Sequence, residues 1–451
     1  MNRASSRAAR ADVETGVVGD LTHEAQGVVR AAQSADAVAG KVAFVAGALP
    51  GERIGFRRVS FHRGHDEAEL VEVLEPSPHR VTPRCAHFGV CGGCALQHLD
   101  PGAQLAAKQQ ELAENLARIG EVTPEQWLPP LLGPVWNYRR RARLSSRYVT
   151  KKGRSLVGFR EKQGKYVADV SRCEVLAEPV ASLVGTLGEL FTGLQRRESI
   201  PQVEVALSDG ERVLVLRVLD PLPEADLEAL RAFEQRHGLR LLLQPGGLDS
   251  VQPLTPGPVD LHYRLDDFDL RLDFGPTDFV QVNGAINQAM VARAIELLEV
   301  RPTDRVLDLY CGLGNFTLPM ARRAQAVVGV EGDAGLIARA RANAARNGIG
   351  NATFHVADLS VEPDRGLPWV RGGYDQVLLD PPRVGAREVL SAVAHIAPRR
   401  VVYISCHTGS LARDLGILTR DHGYRLRAAG VLDMFPHTTH VESMAVLERG
   451  R

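Results

Sequence analysis

The chain has 451 residues, with 54 lysines and arginines against 54 aspartates and glutamates. That is long enough for about three domains, and overall neutrality excludes a global field for nucleic acid, so any basic footprint must be local. No run approaches the apolar length of a membrane helix, and the basic, Ser/Ala-rich start "MNRASSRAAR" lacks the apolar core of a secretory signal. Residues 1–11 are therefore expected to be a disordered tail, and the protein soluble and cytoplasmic.

Residues 12–75 read as five short strands, "VETGVV", "QGVVR", "KVAFVA", "ERIGFRRVSF" and "EAELVEVL", with turns marked by Gly40, Pro50-Gly51 and Gly64. Five short strands in so little chain predict a small closed barrel of the oligonucleotide-binding type, although strands alone do not separate binding from mere packing. Next comes "CAHFGVCGGCALQH", which gathers Cys85, Cys91 and Cys94, half of the six cysteines. Such crowding without an export signal points to metal or redox chemistry, and the spacing leaves zinc and an iron–sulfur cluster both open.

Residues 76–273 form a second zone of mixed α+β character. A helix is expected from Gln104 to Ile119, then strands at "YRRRARLSSRYV", "SLVGFRE" and "KYVADV", and a hairpin turned at Asp209-Gly210. Between Arg139 and Lys165 stand eleven basic residues and one acid, Glu161. Tyr138, Tyr148, Phe159 and Tyr166 interleave with them, a composition suited to phosphate contact and base stacking.

Residues 274–451 alternate apolar strands with helices, which predicts a parallel sheet covered on both faces. "DLYCGLGNF" ends a strand and opens a helix, and its glycines let backbone approach a ligand. A third glycine is absent, since position 317 is Thr, and there is no Walker lysine. Glu331 at the end of the next strand is placed for ribose hydroxyls, and Asp358 for an adenine amino group. S-adenosylmethionine fits this set better than a dinucleotide or ATP. In "LLDPPR", Asp380 tips a strand whose loop two prolines stiffen. "VVYISCHTG" places Cys406 at another strand tip, a candidate nucleophile weighed against a buried core thiol. "DMFPHTTHVES" gathers His437, His440 and Glu442; the spacing is not that of HExxH, so a turn presenting Glu442 as a base is preferred to a zinc site.

Taken in order, "FVQVN", "DLYCGLGNF", "VEG", "LLDPPR", "YISC" and "FPHTTHVE" make the chain resemble the bacterial S-adenosylmethionine-dependent RNA (uracil-5-)-methyltransferases over nearly its whole length. The resemblance implies a Rossmann-like α/β methyltransferase domain, an N-terminal TRAM barrel of the OB type, and a central α+β domain with a [4Fe-4S] cluster. Both additions together are most similar to the 23S ribosomal RNA branch. It further implies Cys85, Cys91, Cys94 and Cys173 as cluster ligands. Gln281, Tyr310, Asn315, Glu331, Asp358 and Asp380 would line the cofactor and target-base site, with Cys406 as nucleophile and Glu442 as base. Many relatives have Phe at the position of Tyr310. The implied partner is 23S ribosomal RNA; no DNA or membrane partner is expected, and the sequence does not fix the oligomeric state, for which a monomer is the expectation. Two alternatives are the same chemistry on tRNA or another rRNA uridine, and a catalytically silent metal-bearing RNA-binding protein.

Overall fold

The computed structural model describes residues 12–30, 41–162 and 164–450; the expected tail and the Gly40 turn lie outside them. All five predicted strands are present as β1 (Glu14–Leu21), β2 (Gln26–Val29), β3 (Val42–Ala46), β4 (Arg53–Phe61) and β5 (His65–Glu75). They close into a barrel in the order β1-β2-β3-β5-β4. Alternation turns Val18, Val29, Ala43, Val45, Ile54, Phe56 and Ala68 inward as its core.

The chain divides into two compact units, residues 1–107 with 437–439, and residues 108–436 with 440–451. The first unit runs on past residue 75, where the barrel domain was expected to end. The reason is packing: Leu96 and Leu99 share a core cluster with Ala25 and Leu49 of the barrel. Arg80 also donates to the fully buried Glu52, Nε to Oε1 at 2.5 Å. Burial opposes the charge on Glu52, but Arg80 and the N–H groups of Leu49 and Ser77 outweigh it and hold the carboxyl below its usual range. The cysteine segment therefore belongs with the barrel.

Helix α1 (Pro101–Asn115) ends in a π-turn, Leu116–Gly120, and the short strand β6 (Gln126–Trp127) follows. A six-stranded sheet is then built from β7 (Arg141–Val149), β8 (Arg154–Gly158), β9 (Gln202–Leu207), β10 (Arg212–Arg217), β11 (Arg240–Gln244) and β12 (Gln252–Pro253), in the order β12-β11-β10-β9-β7-β8. Helices α2 (Val180–Gly193) and α3 (Glu224–His237) accompany it. β9 and β10 form the hairpin predicted at Asp209-Gly210. The strand predicted at "KYVADV" is reduced to one isolated bridge, Arg160 to Val167, although Val167, Ala168 and Val170 are buried.

After a ribbon of β13 (His262–Leu265) and β14 (Leu270–Asp273) comes the predicted alternation. Its elements are α4 (Gly284–Leu298), β15 (Arg305–Leu309), α5 (Thr317–Ala321), β16 (Ala326–Glu331), α6 (Ala334–Arg346), β17 (Ala352–Val356), β18 (Gln376–Leu379), α7 (Leu390–Ile396), β19 (Arg400–Ser405) and α8 (Thr408–His422). The central strands are buried on both faces and therefore read as continuous apolar runs. Two strands beyond the sequence expectation, β20 (Tyr424–Leu432) and β21 (Glu442–Arg449), complete an eight-stranded sheet ordered β17-β16-β15-β18-β19-β21-β20-β6. Among the described residues no helix is long and apolar enough to cross a membrane.

Candidate active site

Parallel strands direct their carboxyl ends to one edge, where open α/β sheets bind ligands. Tyr310 follows β15, Glu331 ends β16, Asp358 lies two residues past β17, Asp380 follows β18 and Cys406 follows β19. The antiparallel β21 supplies the last member. It pairs with β19 as far as Ser405 opposite Ser443. The next residues on the two strands are Cys406 and Glu442, and residues opposite each other in an antiparallel pair share a face. Glu442 is therefore the first residue of a strand rather than part of a free turn. Insertion of that strand brings nucleophile and base candidates together.

The loop after β15 is shaped for close approach. Gly312 and Gly314 have φ of 54° and 99°, and Tyr310, with φ of 66°, adopts a conformation rare for an aromatic residue. The N–H groups of Tyr310 and Cys311 both donate to the Val330 carbonyl. Glu331 accepts from Gly312 N at 3.2 Å through one carboxylate oxygen, and from Gly332 N and Asp333 N through the other. It holds the loop as well as facing the crevice.

Carboxylates dominate the electrostatics. Burial raises Asp380 to about 7. Burial, joined by the charges of Asp380 and Glu331, raises Asp308 to about 8, although Thr317 donates to it at 2.5 Å. Glu442 is buried and pushed well above the carboxylate range, first by burial and then by Asp380. Burial, Glu442 and Asp380 push the Cys406 thiol up to about 11, with Arg383 opposing them. Such a pocket favours a cation and, without one, disfavours both thiolate and base.

Cys406 and the Asp380 loop are tied together through α8. Asp414, fully buried, accepts from Tyr403 Oη at 2.6 Å and from Ala386 N at 2.8 Å. Ser410 Oγ donates to the Arg383 carbonyl and Arg413 to that of Val384. Gly385, at φ of 88°, lets the two segments meet closely, since a Cβ there would lie 2.5 Å from Asp414 Oδ2. His407 caps α8, its Nδ1 accepting from Ser410 N at 3.1 Å. Cys311 is buried behind the glycine loop against Gly329, consistent with a packing role.

Gln281 lines a cavity of about 420 Å³ with Tyr263, Phe274 and Arg140. Asn315 exchanges two hydrogen bonds with Asn287, and its Oδ1 also accepts from Tyr263 Oη at 2.8 Å. Much of its amide is thus committed to protein. Asp358 is exposed and accepts from Ser360 N and Oγ, which lower its carboxyl. In the first unit, Cys85, Cys91 and Cys94 are partly exposed on one loop, and Gly93 N donates to Cys91 Sγ at 3.5 Å. His437, weighed above as a metal ligand, is engaged by Gln104, Nδ1 to Nε2 at 3.2 Å. In the second unit, Cys173 is buried.

The basic run between Arg139 and Lys165 is less free than its composition implies. Arg140 pairs with Asp209, Arg143 with Glu204, and Lys152 and Arg154 with Asp169. Arg141 donates inward to the carbonyls of Pro276 and Asp278. Tyr138 is buried and Arg197 covers the ring of Tyr148, which removes both as stacking surfaces. Arg147, Lys151, Lys162, Lys165 and Tyr166 are exposed.

Comparison with known proteins gives this geometry a family. The sequence family described as tRNA (uracil-5-)-methyltransferase matches residues 218–364 and 366–450. The chain belongs to that family. Among similar uracil-5-methyltransferases, a Xanthomonas euvesicatoria protein named 23S rRNA (uracil(1939)-C(5))-methyltransferase RlmD is 52% identical over 449 residues, with both chains covered in full. A protein of the same name from Stenotrophomonas maltophilia K279a is 51% identical over the same span. The fold is shared with Pyrococcus abyssi tRNA (uracil-54, C5)-methyltransferase, solved with S-adenosyl-L-homocysteine, at a TM-score of 0.74 and 24% identity over 96% of this chain and 99% of that one.

In this uracil-5-methyltransferase, sequence reasoning passed over Asp308, Asp414 and the Tyr263–Asn287 pair that holds Asn315. Asp308 alone left a signal, a carboxylate inside an apolar strand. The others act through contacts between segments far apart in sequence.

Proposed function

We propose that the protein methylates C5 of a uridine in 23S ribosomal RNA, the one corresponding to that named for its relatives, using S-adenosylmethionine and a covalent Cys406 adduct. The observation that carries this reading is the continuation of the β19–β21 register, which sets Cys406 beside Glu442 in an acidic pocket. Full-length relatives at about half identity support rRNA over tRNA as substrate.

The donor set suits S-adenosylmethionine. Glu331, Asp358 and the open glycine loop present acceptors and a clear backbone, Gln281, Tyr310 and Asn315 are further candidates, and the acidic pocket favours a sulfonium cation. When bound, the cofactor supplies an electrophilic methyl group. The chain's own residues do the rest. C5 of uracil is a weak nucleophile, so Cys406, once its thiol proton has left to solvent, adds as the thiolate through Sγ to C6 and the ring becomes an enolate with carbanion character at C5. Once C5 carries the methyl, Glu442 takes the C5 proton, and elimination breaks the S–C6 bond and restores the ring. Burial first, then the charges of Glu442 and Asp380, disfavour the thiolate, and a cation in the pocket would offset the two charges. Reaching this pocket requires the base to leave any stack, at a cost of a few kcal/mol.

The test is transfer of labelled methyl to 23S rRNA from cells lacking the gene. We expect about one methyl per molecule at a single uridine, with tRNA from the same cells unlabelled; label in tRNA alone would reverse the substrate assignment.

The cysteine motif and Cys173 belong to the same reading, with an iron–sulfur cluster as the group they hold. Partly exposed thiols and an N–H donor to Cys91 Sγ suit thiolate ligation. Methyl transfer moves no net electrons, so the cluster's place is structural or RNA-positioning. Anaerobically purified protein is expected to hold about four iron and four sulfide per chain. Stoichiometric zinc without labile sulfide would overturn it.

A further inference from the structure

The barrel carries an aromatic and basic cluster that the methyl-transfer chemistry leaves unused. At the tip of the β4–β5 hairpin the sequence runs Phe61, His62, Arg63, Gly64, His65. The ring of Phe44, on neighbouring β3, stacks on His65 with centroids 4.7 Å apart and planes at 25°. His65 in turn stacks on His62 at 4.8 Å and 23°. Three rings thus form a continuous pile that ends on the exposed His62. Beside it Phe61 is 68% exposed, although a closed barrel has no packing need for a large aromatic there.

The pile is held in place. His62 N donates to the His65 carbonyl at 3.0 Å, Lys41 Nζ to the His62 carbonyl at 2.8 Å, and Ser60 Oγ lies 3.2 Å from His62 Nε2. Arg63 is exposed at the tip. Of the nearby acids, Asp66 is buried, paired with Arg58 at 2.8 Å and more loosely with Lys41 at 3.9 Å, while Glu67 lies 3.8 Å from His62 Nε2. The result is a fixed ring face flanked by two cations, Lys41 and Arg63. Isolated exposed apolar residues need no explanation, but an ordered ring pile with cations beside it matches what unpaired nucleotides require, a π-face for the base and positive charge for the phosphate. Among the described residues, the large hydrophobic side chains exposed on β4 are Phe61 and Val59, too few to seat an apolar partner protein.

We infer that the β4–β5 hairpin tip is a stacking platform for single-stranded RNA. One unpaired base extends the Phe44–His65–His62 pile, Phe61 contacts its neighbour, and Lys41 and Arg63 take flanking phosphates. Every base has a π-face, so the platform tolerates sequence and supplies affinity, while the choice of uridine is made elsewhere. The inference rests on the proposed action on ribosomal RNA.

The test uses the full-length protein and a 23S rRNA fragment with the target uridine and single-stranded flanks. The double variant Phe61→Ala/His62→Ala is expected to bind it roughly five- to a hundredfold more weakly, as loss of one stacked base implies. His62→Phe keeps a ring at the end of the pile and should stay within about twofold of wild type. Arg63→Ala should reduce the slope of log K against log salt by about 0.7. S-adenosylmethionine affinity and the thermal midpoint, measured on the same preparations, should match wild type. Unchanged RNA affinity in the double variant overturns the platform, as does a His62→Phe variant as weak as the double one. Wild-type protein that methylates no ribosomal RNA would instead remove the functional reading, a separate result.

Discussion

Replacing Glu442 by Gln is expected to leave the enzyme covalently joined to its RNA. If Cys406 attacks C6 before the C5 proton departs, blocking proton removal traps the product of methyl transfer as an adduct. Gln keeps the shape of the side chain and removes its basicity, so the RNA complex should survive denaturing electrophoresis and carry the transferred methyl. Cys406→Ala should form no adduct and lower methylation by about a thousandfold or more, as loss of a nucleophile does elsewhere. RNA containing 5-fluorouridine should trap wild-type enzyme in the same way, because fluorine cannot leave as a proton. In the double variant the adduct should vanish, which orders the cysteine step first. The assignment fails if Cys311→Ala removes the adduct and Cys406→Ala leaves it. The structure gives reason to expect otherwise, since Cys311 is only 3% exposed and its thiol is pushed well above its ordinary range by burial, Asp308 and Glu331.

The second large effect is expected at Asp414, which touches no reacting atom in the proposed mechanism. Its carboxylate is fully buried and answers the Tyr403 hydroxyl, the Ala386 N–H and the Arg413 guanidinium. Truncation to Ala leaves the first two as buried donors without an acceptor, at about 1–3 kcal/mol each. A total loss of about 3–5 kcal/mol is expected in urea unfolding, comparable to breaking a buried pair. Asp414→Asn keeps one acceptor oxygen and should lose less. Because the same carboxylate holds the loop that follows Asp380, methylation by the Asn variant should fall further than its S-adenosylmethionine affinity. An Ala variant as stable as wild type would remove Asp414 as the anchor of that loop.

How far this site was legible depends on the range of the interactions that make it. Cys406, Asp380 and Glu331 were legible as candidates because each ends a run of apolar residues, and local periodicity marks strand ends, whereas Tyr310 was named through the family resemblance alone. Their arrival at one edge follows from parallel strands joined by helices. Glu442 was named from its motif, but its position was read as a turn, because β21 enters the sheet between β19 and β20. Nothing local in "ESMAVLER" states which neighbours that strand takes. The basic run shows the same limit. Its composition was read correctly, but four of its eleven basic side chains pair with Asp209, Glu204 and Asp169, which lie outside the run.

Sequence by itself determined the barrel strands, the alternating sheet and the candidate nucleophile, since each is written in patterns a few residues long. Tertiary structure alone decided which acids share a pocket with Cys406, which arginines remain free, and that the cysteine loop packs with the barrel. Those outcomes depend on burial and pairing between distant segments, and the same side chain is a solvated charge or a perturbed one according to what the fold sets beside it.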